Sequence, residues 1–399
     1  MKIFLNICRF IVGVLFIFSG LVKANDPLGL SYKMQEFFEI WNLHALNDYT
    51  LAFSILMITF EIIAGVAVLV GWQMRLFSWL LLLLILFFTF LTGYALFSGK
   101  IRECGCFGDC IPLTADQSFM KDLFLLVLIG VIFLHRNKIK PLLNIRASIL
   151  ILFFSTIATV AFQVHVLNHL PTVDCLPYKV GSNILENMKA PPGSIPDSTV
   201  ISFVYKKEGK EVEFTSENFP EDFDDSLYTF VKRYDKVVRK GNASPKIKDF
   251  MLKTVYDNDT TTALLSEDKY QLYLFVKNDY NTSGNWPTIM SMVMKTAIDR
   301  NIPGFIVTSI PFETLISNPP QAFTVMTPLA CDAVAIKTAA RANPTLFLVK
   351  NGVILHKWAY SDLESALKAV QTLPQQQKPV HLQDAEPVQA DTTAPASNR

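Results

Sequence analysis

The stretch LFSWLLLLLILFFTFL at residues 76–91 is apolar on every side of a helix and contains no charged residue. A soluble protein would need an unusually large core to bury such a helix, whereas a bilayer accepts it, because about 20 apolar residues cross the hydrocarbon. Four other stretches have similar length and composition. The sequence therefore predicts five transmembrane helices, near residues 3–22, 51–71, 75–97, 117–135 and 147–167.

The rest of the chain has a different composition. Hydrophobic residues make up 51% of the 399 residues and charged residues 18%, but the apolar excess is concentrated before about residue 170. The remainder has the mixed composition of a soluble domain. The formal net charge is +1, and no basic run is interleaved with aromatic residues. This pattern argues for the lipid bilayer as a partner and against nucleic acid.

Basic residues predict the orientation of the helices. They crowd the short turns after the second and fourth predicted spans, at Arg75, Arg136, Lys138, Lys140 and Arg146. The positive-inside rule then puts the N-terminus in the cytoplasm of a bacterial cell, and five spans put everything after residue 168 on the periplasmic side of the inner membrane. Residues 23–50 are too polar to span and predict an amphipathic helix on the outer membrane surface.

Two charged residues fall inside the predicted spans. An unpaired charge in the membrane costs several kcal/mol, so Arg9 and Glu61 are expected to pair within the bundle. Proton or quinone chemistry at Glu61 is the alternative interpretation.

The predicted outer loop, IRECGCFGDCIPL at residues 101–113, contains Cys104, Cys106 and Cys110. Thiols on an outer face meet an oxidising compartment, so disulfide chemistry is expected there. A Cys104–Cys106 bond would close a very small, easily reduced ring, and a Cys106–Cys110 bond would be less strained. Cys175 follows the fifth span and is a candidate redox partner, whereas Cys8 and Cys331 read as packing residues.

Three interpretations of this loop stay open. The cysteines form a structural disulfide, exchange disulfides with a protein partner or a quinone, or bind a metal. Zinc takes four ligands and no histidine lies near enough in sequence to complete the set, so no metal site is predicted.

Several of these residues resemble those of known membrane families. The first helix, RFIVGVLFIFSGLVKANDPLG, resembles the opening helix of DoxX-family proteins, and Glu61 with Gly65 also fits. The matching positions are Arg9, Gly13, Ser19, Gly20, Lys23, Asp26 and Pro27. The CGCFG motif at residues 104–108 resembles the methylamine-utilisation MauE family, which is linked with disulfide formation in an exported enzyme subunit. These bundles are similar to DsbB and vitamin K epoxide reductase, which pass electrons from thiols to quinone.

The region after residue 177 alternates strands and helices. STVISFVYKKEGKEVEF (198–214) predicts two strands joined at Glu208-Gly209, and SLYTFVKRYDKVVRKG (226–241) predicts a second such pair. The order that follows, strand 270–277, helix 287–300, strand 304–309, helix 331–342 and hairpin 345–358, resembles a thioredoxin fold. That resemblance implies a cis peptide bond at Pro344.

The catalytic motif of that fold is absent. Thioredoxins carry Cys-x-x-Cys after the first central strand, where the following helix lowers the thiol pKa, but NDYNTSGNWPTIM at residues 278–290 has no cysteine. The domain is therefore expected to bind a peptide or protein or to cover the membrane loop. Residues 372–399 are poor in apolar residues and predict a disordered tail.

Together these observations predict an α-helical membrane bundle followed by an α/β thioredoxin-like domain. The expected parts are a DoxX/MauE-like four-helix domain at 1–140, a fifth helix and linker at 141–177, and an extracytoplasmic domain at 178–371. The leading hypothesis is a membrane thiol–disulfide oxidoreductase that uses Cys104, Cys106 and Cys110 on an exported client, with quinone as a candidate acceptor. The alternative is a non-enzymatic envelope scaffold with a structural loop disulfide.

Overall fold

The computed structural model describes residues 2–98, 108–195, 198–207, 209–216, 218–220, 223–224, 226–239, 241, 243–277, 284–317 and 321–377. Within these residues, five helices are candidate membrane spans by length and composition, and they lie where the sequence predicted spans. They are α1 (Lys2–Ala24), α3 (Thr50–Val70), α4 (Met74–Ser98), α5 (Ala115–Leu134) and α6 (Ile145–Asn168). Many of their large apolar side chains, such as Leu56 and Phe90, are more than half exposed, as expected for lipid-facing positions.

Small residues let α1 and α3 cross closely. A Cβ atom built on Gly65 would lie 2.9 Å from the carbonyl oxygen of Gly13, and one on Gly20 would collide with Ile62. Close backbone approach through small residues is a common way for membrane helices to associate, because lipid offers no hydrophobic driving force between them. The Gly13–Gly65 contact fixes which residues of the two antiparallel helices face each other.

The two ends of the bundle differ in character. We call residues 71–75 and 135–146 the basic end; here Arg75 Nε donates to Asn137 Oδ1 at 3.1 Å. We call residues 25–49, 108–114 and 169–178 the cysteine end; here the Asn25 side chain bonds the backbone of Val173 in both directions, at 2.8 and 3.0 Å. The chain from residue 179 onward, which we call the soluble region, contacts the cysteine end through ion pairs of Arg341 and Lys357.

The predicted amphipathic segment forms α2 (Pro27–Ile40) and a 3₁₀ helix (His44–Tyr49). Asp26 caps α2 by accepting from the Gly29 amide at 3.0 Å, and Pro27 occupies the first turn, where its missing N–H costs nothing. The buried Phe37 ring packs against Trp41 and Tyr94. The helix thus closes the cysteine end of the bundle over α4.

A three-stranded antiparallel sheet follows α7 (Ile184–Asn187), with order β2-β1-β3. Its strands are β1 (Ser198–Lys207), β2 (Lys210–Thr215) and β3 (Tyr228–Arg239). The first predicted hairpin is correct, since β1 and β2 pair from Lys207 and Lys210 outward. The second predicted pair is wrong: residues 228–239 form a single strand that pairs with β1 along its whole length. The pairing with β1 keeps these residues in one continuous strand.

The second sheet has five strands in the order β6-β5-β4-β7-β8. Strands β4, β5 and β6 are parallel, and β7 and β8 form an antiparallel hairpin beside β4. The elements from α8 onward are α8 (Thr261–Leu265), β4 (Tyr270–Val276), α9 (Trp286–Asp299), β5 (Gly304–Thr308), α10 (Phe312–Ser317), β6 (Thr327–Ala330), α11 (Ala333–Ala339), β7 (Thr345–Lys350), β8 (Val353–Ala359) and α12 (Leu363–Thr372).

Both faces of this sheet are covered. Leu272, Leu274 and Val276 of β4 face α9 and α12, while Tyr273 and Phe275 face a second core that includes α8 and α11. The side chains of β4 alternate between the two cores because successive residues of a strand point to opposite faces of the sheet. The sequence patterns did not predict strand β6 or helices α10 and α12.

The peptide bond between Asn343 and Pro344 is cis, as expected for Pro344. The chain also stays packed beyond the expected start of the tail at residue 372. Gln376 accepts from the Tyr270 amide at 2.6 Å and donates to the Tyr270 carbonyl at 3.0 Å, so that boundary is several residues too early. Residues 378–399 of the expected tail lie outside the described residues.

Candidate thiol site at the cysteine end

A disulfide joins Cys110, in the segment before α5, to Cys175, in the segment after α6, with the Cα atoms 4.8 Å apart. The two segments are separated by two spans, so they meet at the same end of the bundle. This bond excludes the Cys106–Cys110 pairing considered from the sequence. Cys104 and Cys106 themselves lie outside the described residues.

Each cysteine of this disulfide directly follows an aspartate that pairs with a cation of the soluble region. Asp109 accepts from Arg341 Nη2 at 2.6 Å, and Asp174 accepts from Lys357 Nζ at 2.7 Å. The two cationic side chains are only 6% and 4% exposed. Neither ion pair could be predicted from local sequence patterns, because the partners are separated by more than 180 residues.

Arg341 is held by a second carboxylate as well. Its Nε donates to Asp26 Oδ2 at 2.7 Å, so the guanidinium bridges the N-cap of α2 and the residue before Cys110. Burial lowers the pKa of Arg341, but the nearby Asp26 and Asp109 outweigh it and raise the pKa above its ordinary value. Burial lowers the pKa of Lys357, against the opposing effect of Asp174.

The predicted ion pair between Arg9 and Glu61 inside the membrane is wrong. Glu61 pairs with Lys23, whose Nζ lies 3.0 and 2.8 Å from the two carboxylate oxygens, and both side chains are almost fully buried. Arg9 instead donates to the carbonyls of Val68 and Leu69, at 3.2 and 3.0 Å. Because Gly13 faces Gly65, a residue four positions before Gly13 lies opposite the end of α3, beyond the reach of Glu61.

Arg9 therefore satisfies carbonyls at the C-terminus of α3, where a helix leaves its last acceptors without intrahelical donors and favours a cation. Lys23, at the other end of α1, is long enough to reach Glu61 from the cysteine end. The sequence signal for Lys23 was present in the DoxX-like motif, but its partner was not assigned.

A cavity of about 480 Å³ lies beneath α2, between α1, α3, α4 and α5. Its walls are mainly aromatic and aliphatic, and besides Ser19 and Lys33 they carry two paired polar groups. One is the Lys23–Glu61 pair. In the other, Asp122 accepts from Thr92 Oγ1 at 3.0 Å and pairs with Lys121 at 2.8 Å.

The cavity lies near Gly108 and next to the lipid-facing surface. A Cβ atom on Gly108 would lie 3.7 Å from Val22, the neighbour of Lys23 in α1. On the other side, the lining residues Phe53, Leu56 and Phe87 are 40%, 66% and 42% exposed on the outside of the bundle. An apolar molecule dissolved in the bilayer could reach the polar groups by this side.

The remaining cysteines of the described residues are unsuited to exchange. Cys8 and Cys331 are free and buried. Burial raises the pKa of the Cys331 thiol to about 12, so at neutral pH it stays protonated and a poor nucleophile. Among the described residues, no three His, Cys, Asp or Glu side chains come close enough to hold a metal ion.

These features define an integral membrane protein with a sheet-containing C-terminal region. Residues 1–135, about a third of the chain, match the family model of the methylamine utilisation protein MauE, so this part is MauE-like. Residues 199–240, which cover β2, β3 and most of β1, match a domain of unknown function (DUF8463). No curated protein and no solved structure matches the chain.

Proposed function

We propose that this protein is a membrane thiol–disulfide oxidoreductase that forms disulfides in exported client proteins. The observation that carries the proposal is the position of the Cys110–Cys175 bond, at the end of the bundle that also holds the cavity. Cys104 and Cys106 lie only a few residues before Cys110, so the chain offers two cysteine pairs at one end. Two pairs are what a relay between a client and an acceptor requires.

The electron balance of such a relay is simple. A client dithiol attacks one enzyme disulfide, and the client leaves as a disulfide while the enzyme pair becomes two thiols. Exchange between the two enzyme pairs moves the reducing equivalents inward without net change. Reclosure of the last pair releases two electrons and two protons to an acceptor. A Cys104–Cys106 ring, being strained, would be a strong oxidant in this sequence.

Quinone is the acceptor class that the residues around the cavity fit. A bound quinone supplies a two-electron, two-proton acceptor with carbonyl oxygens, and the cavity offers a hydrogen-bond donor at Lys23 within apolar walls. Lys23 has three N–H groups, and the carboxylate of Glu61 occupies two. Lys23 would hold the quinone head group, and the apolar walls of the cavity would exclude water from it.

The proposed orientation of the bundle in the membrane follows from the basic residues at the basic end. Arg75 and the residues around Asn137 lie together there, which supports a cytoplasmic position for that end by the positive-inside rule. The cysteine end and the soluble region would then face the periplasm, where disulfides persist. Alkaline phosphatase fused after residue 168 is expected to be active, and activity of only a cytoplasmic reporter at that position would contradict the proposal.

We further propose that the region from β4 to α12 is thioredoxin-like and holds the client. Its strand order, the β7–β8 hairpin and the cis bond before β7 support that fold. Without a Cys-x-x-Cys motif it does not exchange dithiols itself. Its contact with the cysteine end suits a client-binding or covering role.

The alternative is a non-enzymatic envelope scaffold whose loop disulfide is structural. The observation that favours it is the ion pairing beside both cysteines, since a disulfide held against a docked region also suits a permanent staple.

The two functions predict different behaviour of full-length protein in lipid nanodiscs supplied with dithiothreitol and a short-chain ubiquinone. An oxidoreductase accelerates quinone reduction, and Cys104→Ala or Cys106→Ala lowers the rate at least about tenfold because the exchanging thiol is gone. Cys331→Ala, which removes a buried thiol of the soluble region, is the matched control and leaves the rate unchanged. A wild-type rate equal to that of empty nanodiscs would favour the scaffold.

A further inference from the structure

The two cysteines of the disulfide are held from both sides by the rest of the molecule. On the membrane side, Asn25 fixes Val173, two residues before Cys175, through two hydrogen bonds. On the soluble side, Lys357 pairs with Asp174 and Arg341 pairs with Asp109, the residues that immediately precede Cys175 and Cys110. The backbone at both cysteines is therefore anchored independently of the sulfur–sulfur bond.

The side chains of Arg341 and Lys357 are both buried within the soluble region where it meets the cysteine end. Lys357 lies on β8 with its ammonium 5.1 Å from the Phe347 ring centroid. Arg341 precedes the cis Asn343–Pro344 bond and also donates to the Lys337 carbonyl at 2.6 Å. Rigid attachment of the cations means that displacement of either aspartate would leave a buried charge without its partner, which is strongly unfavourable.

Each of these cations is already neutralised by carboxylates: Lys357 by Asp174, and Arg341 by Asp26 and Asp109. With two cations facing three carboxylates, the cluster has no net positive charge that would stabilise a thiolate at Cys110 or Cys175. Their main effect on the disulfide is geometric, because they restrict the two segments that must stay close for the bond to form. A high effective concentration of one thiol at the other favours the oxidised state.

We propose that Arg341 and Lys357 are positioning residues that stabilise the Cys110–Cys175 disulfide, and that this bond in turn stabilises the docking of the soluble region. The reciprocity is thermodynamic: if docking favours the bond, the bond must favour docking by the same factor. Reduction by a dithiol, which converts the bond to two thiols and the reductant to its own disulfide, then loosens the soluble region from the cysteine end. This inference holds whether the disulfide is catalytic or structural, so its test is independent of the proposed oxidoreductase activity.

The first test is an equilibrium titration of the full-length protein in nanodiscs against defined ratios of reduced to oxidised dithiothreitol. Mass tagging and peptide mapping report the redox state of Cys110 and Cys175 separately from Cys104 and Cys106. Lys357→Met is expected to raise the equilibrium constant for reduction about tenfold, since one anchor is lost. Lys350→Gln is the matched control, because Lys350 is a half-buried lysine of the adjacent strand that pairs with an exposed aspartate, and it leaves the constant unchanged.

A double variant separates positioning from general destabilisation. Asp174→Asn with Lys357→Met removes both partners, so no buried charge is left unpaired and the melting temperature recovers towards the wild type. The anchor is still missing, so the disulfide stays about as reducible as in Lys357→Met alone. Recovery of the wild-type redox equilibrium in the double variant would overturn the proposal, as would an unchanged equilibrium in Lys357→Met.

The reciprocal effect needs no substitution. Hydrogen exchange at residues 169–178 and 341–359 is compared between oxidised wild-type protein and the same protein after reduction with dithiothreitol. The proposal expects faster exchange in both segments after reduction, with no change at β4. Equal exchange in the two states would overturn it.

Discussion

The two ends of the membrane bundle satisfy their charges in different ways. At the basic end, Arg9 donates to main-chain carbonyls of α3, and Arg75 bonds an asparagine of the next turn. At the cysteine end, Arg341 and Lys357 pair with carboxylates that lie on segments far away in sequence. The basic end is thus built from neighbouring helices, whereas the cysteine end is assembled from the bundle and the soluble region together.

This difference predicts how the protein responds to substitutions at each end of the bundle. A charge that binds main-chain carbonyls keeps its partners as long as the helix persists. A charge that depends on a distant carboxylate keeps its partner only while two regions stay docked. Substitutions at the cysteine end should therefore alter docking and the disulfide, whereas substitutions at the basic end should alter local stability alone.

The largest effect is expected from the buried Lys23–Glu61 ion pair inside the bundle. Lys23→Met leaves the carboxylate of Glu61 buried without its partner, and loss of one member of such a pair costs about 3–5 kcal/mol. Thermal unfolding of the protein in nanodiscs measures this loss. Adding Glu61→Leu to Lys23→Met should recover most of it, and a double variant as unstable as the single one would show that the pair is not the cause.

A smaller effect is expected from Arg9→Gln at the basic end. The change removes two charge-assisted hydrogen bonds to the carbonyls of Val68 and Leu69, worth about 2 kcal/mol together after partial replacement by the amide. The melting temperature should fall while the redox equilibrium of Cys110–Cys175 stays at the wild-type value. A shift in that equilibrium would erase the distinction between the two ends.

A comparable or smaller loss should follow Gly65→Ala, since the added methyl group would press on the Gly13 carbonyl at the crossing of α1 and α3. Overpacking of this kind costs about 1–3 kcal/mol. Gly130→Ala on α5 is the matched control, because a Cβ atom there has nothing within 4 Å. The two variants should differ in melting temperature, and equal values would argue against a tight crossing.

The smallest effect concerns Cys331. With its pKa raised to about 12 by burial, the thiol should resist iodoacetamide at pH 7 and react only after unfolding. Mass spectrometry of the labelled peptide checks this. Substantial labelling of the folded protein would mean that the soluble region opens at this position.

Several features could be derived from local patterns. Long apolar runs such as residues 76–91 predicted the five spans, and the CGCFG motif predicted the MauE-like character that the family match over residues 1–135 supports. The DoxX-like and thioredoxin-like resemblances stay predictions. Where a pattern was ambiguous, as in residues 226–241, the partner strand decided, and one long strand formed instead of a hairpin.

The amino-acid sequence by its local patterns indicated which segments are long and apolar enough to enter the bilayer, where the β1–β2 turn falls, and that Cys110 and Cys175 lie at the same end of the bundle. These properties depend on hydrophobicity, charge and backbone preference within a few turns of chain. Only the tertiary structure decided that Cys110 bonds Cys175, that Lys23 rather than Arg9 meets Glu61, and that Arg341 and Lys357 hold the aspartates beside the disulfide. Those choices depend on helix register and on docking between regions, because partners far apart in sequence are selected by the space they come to share.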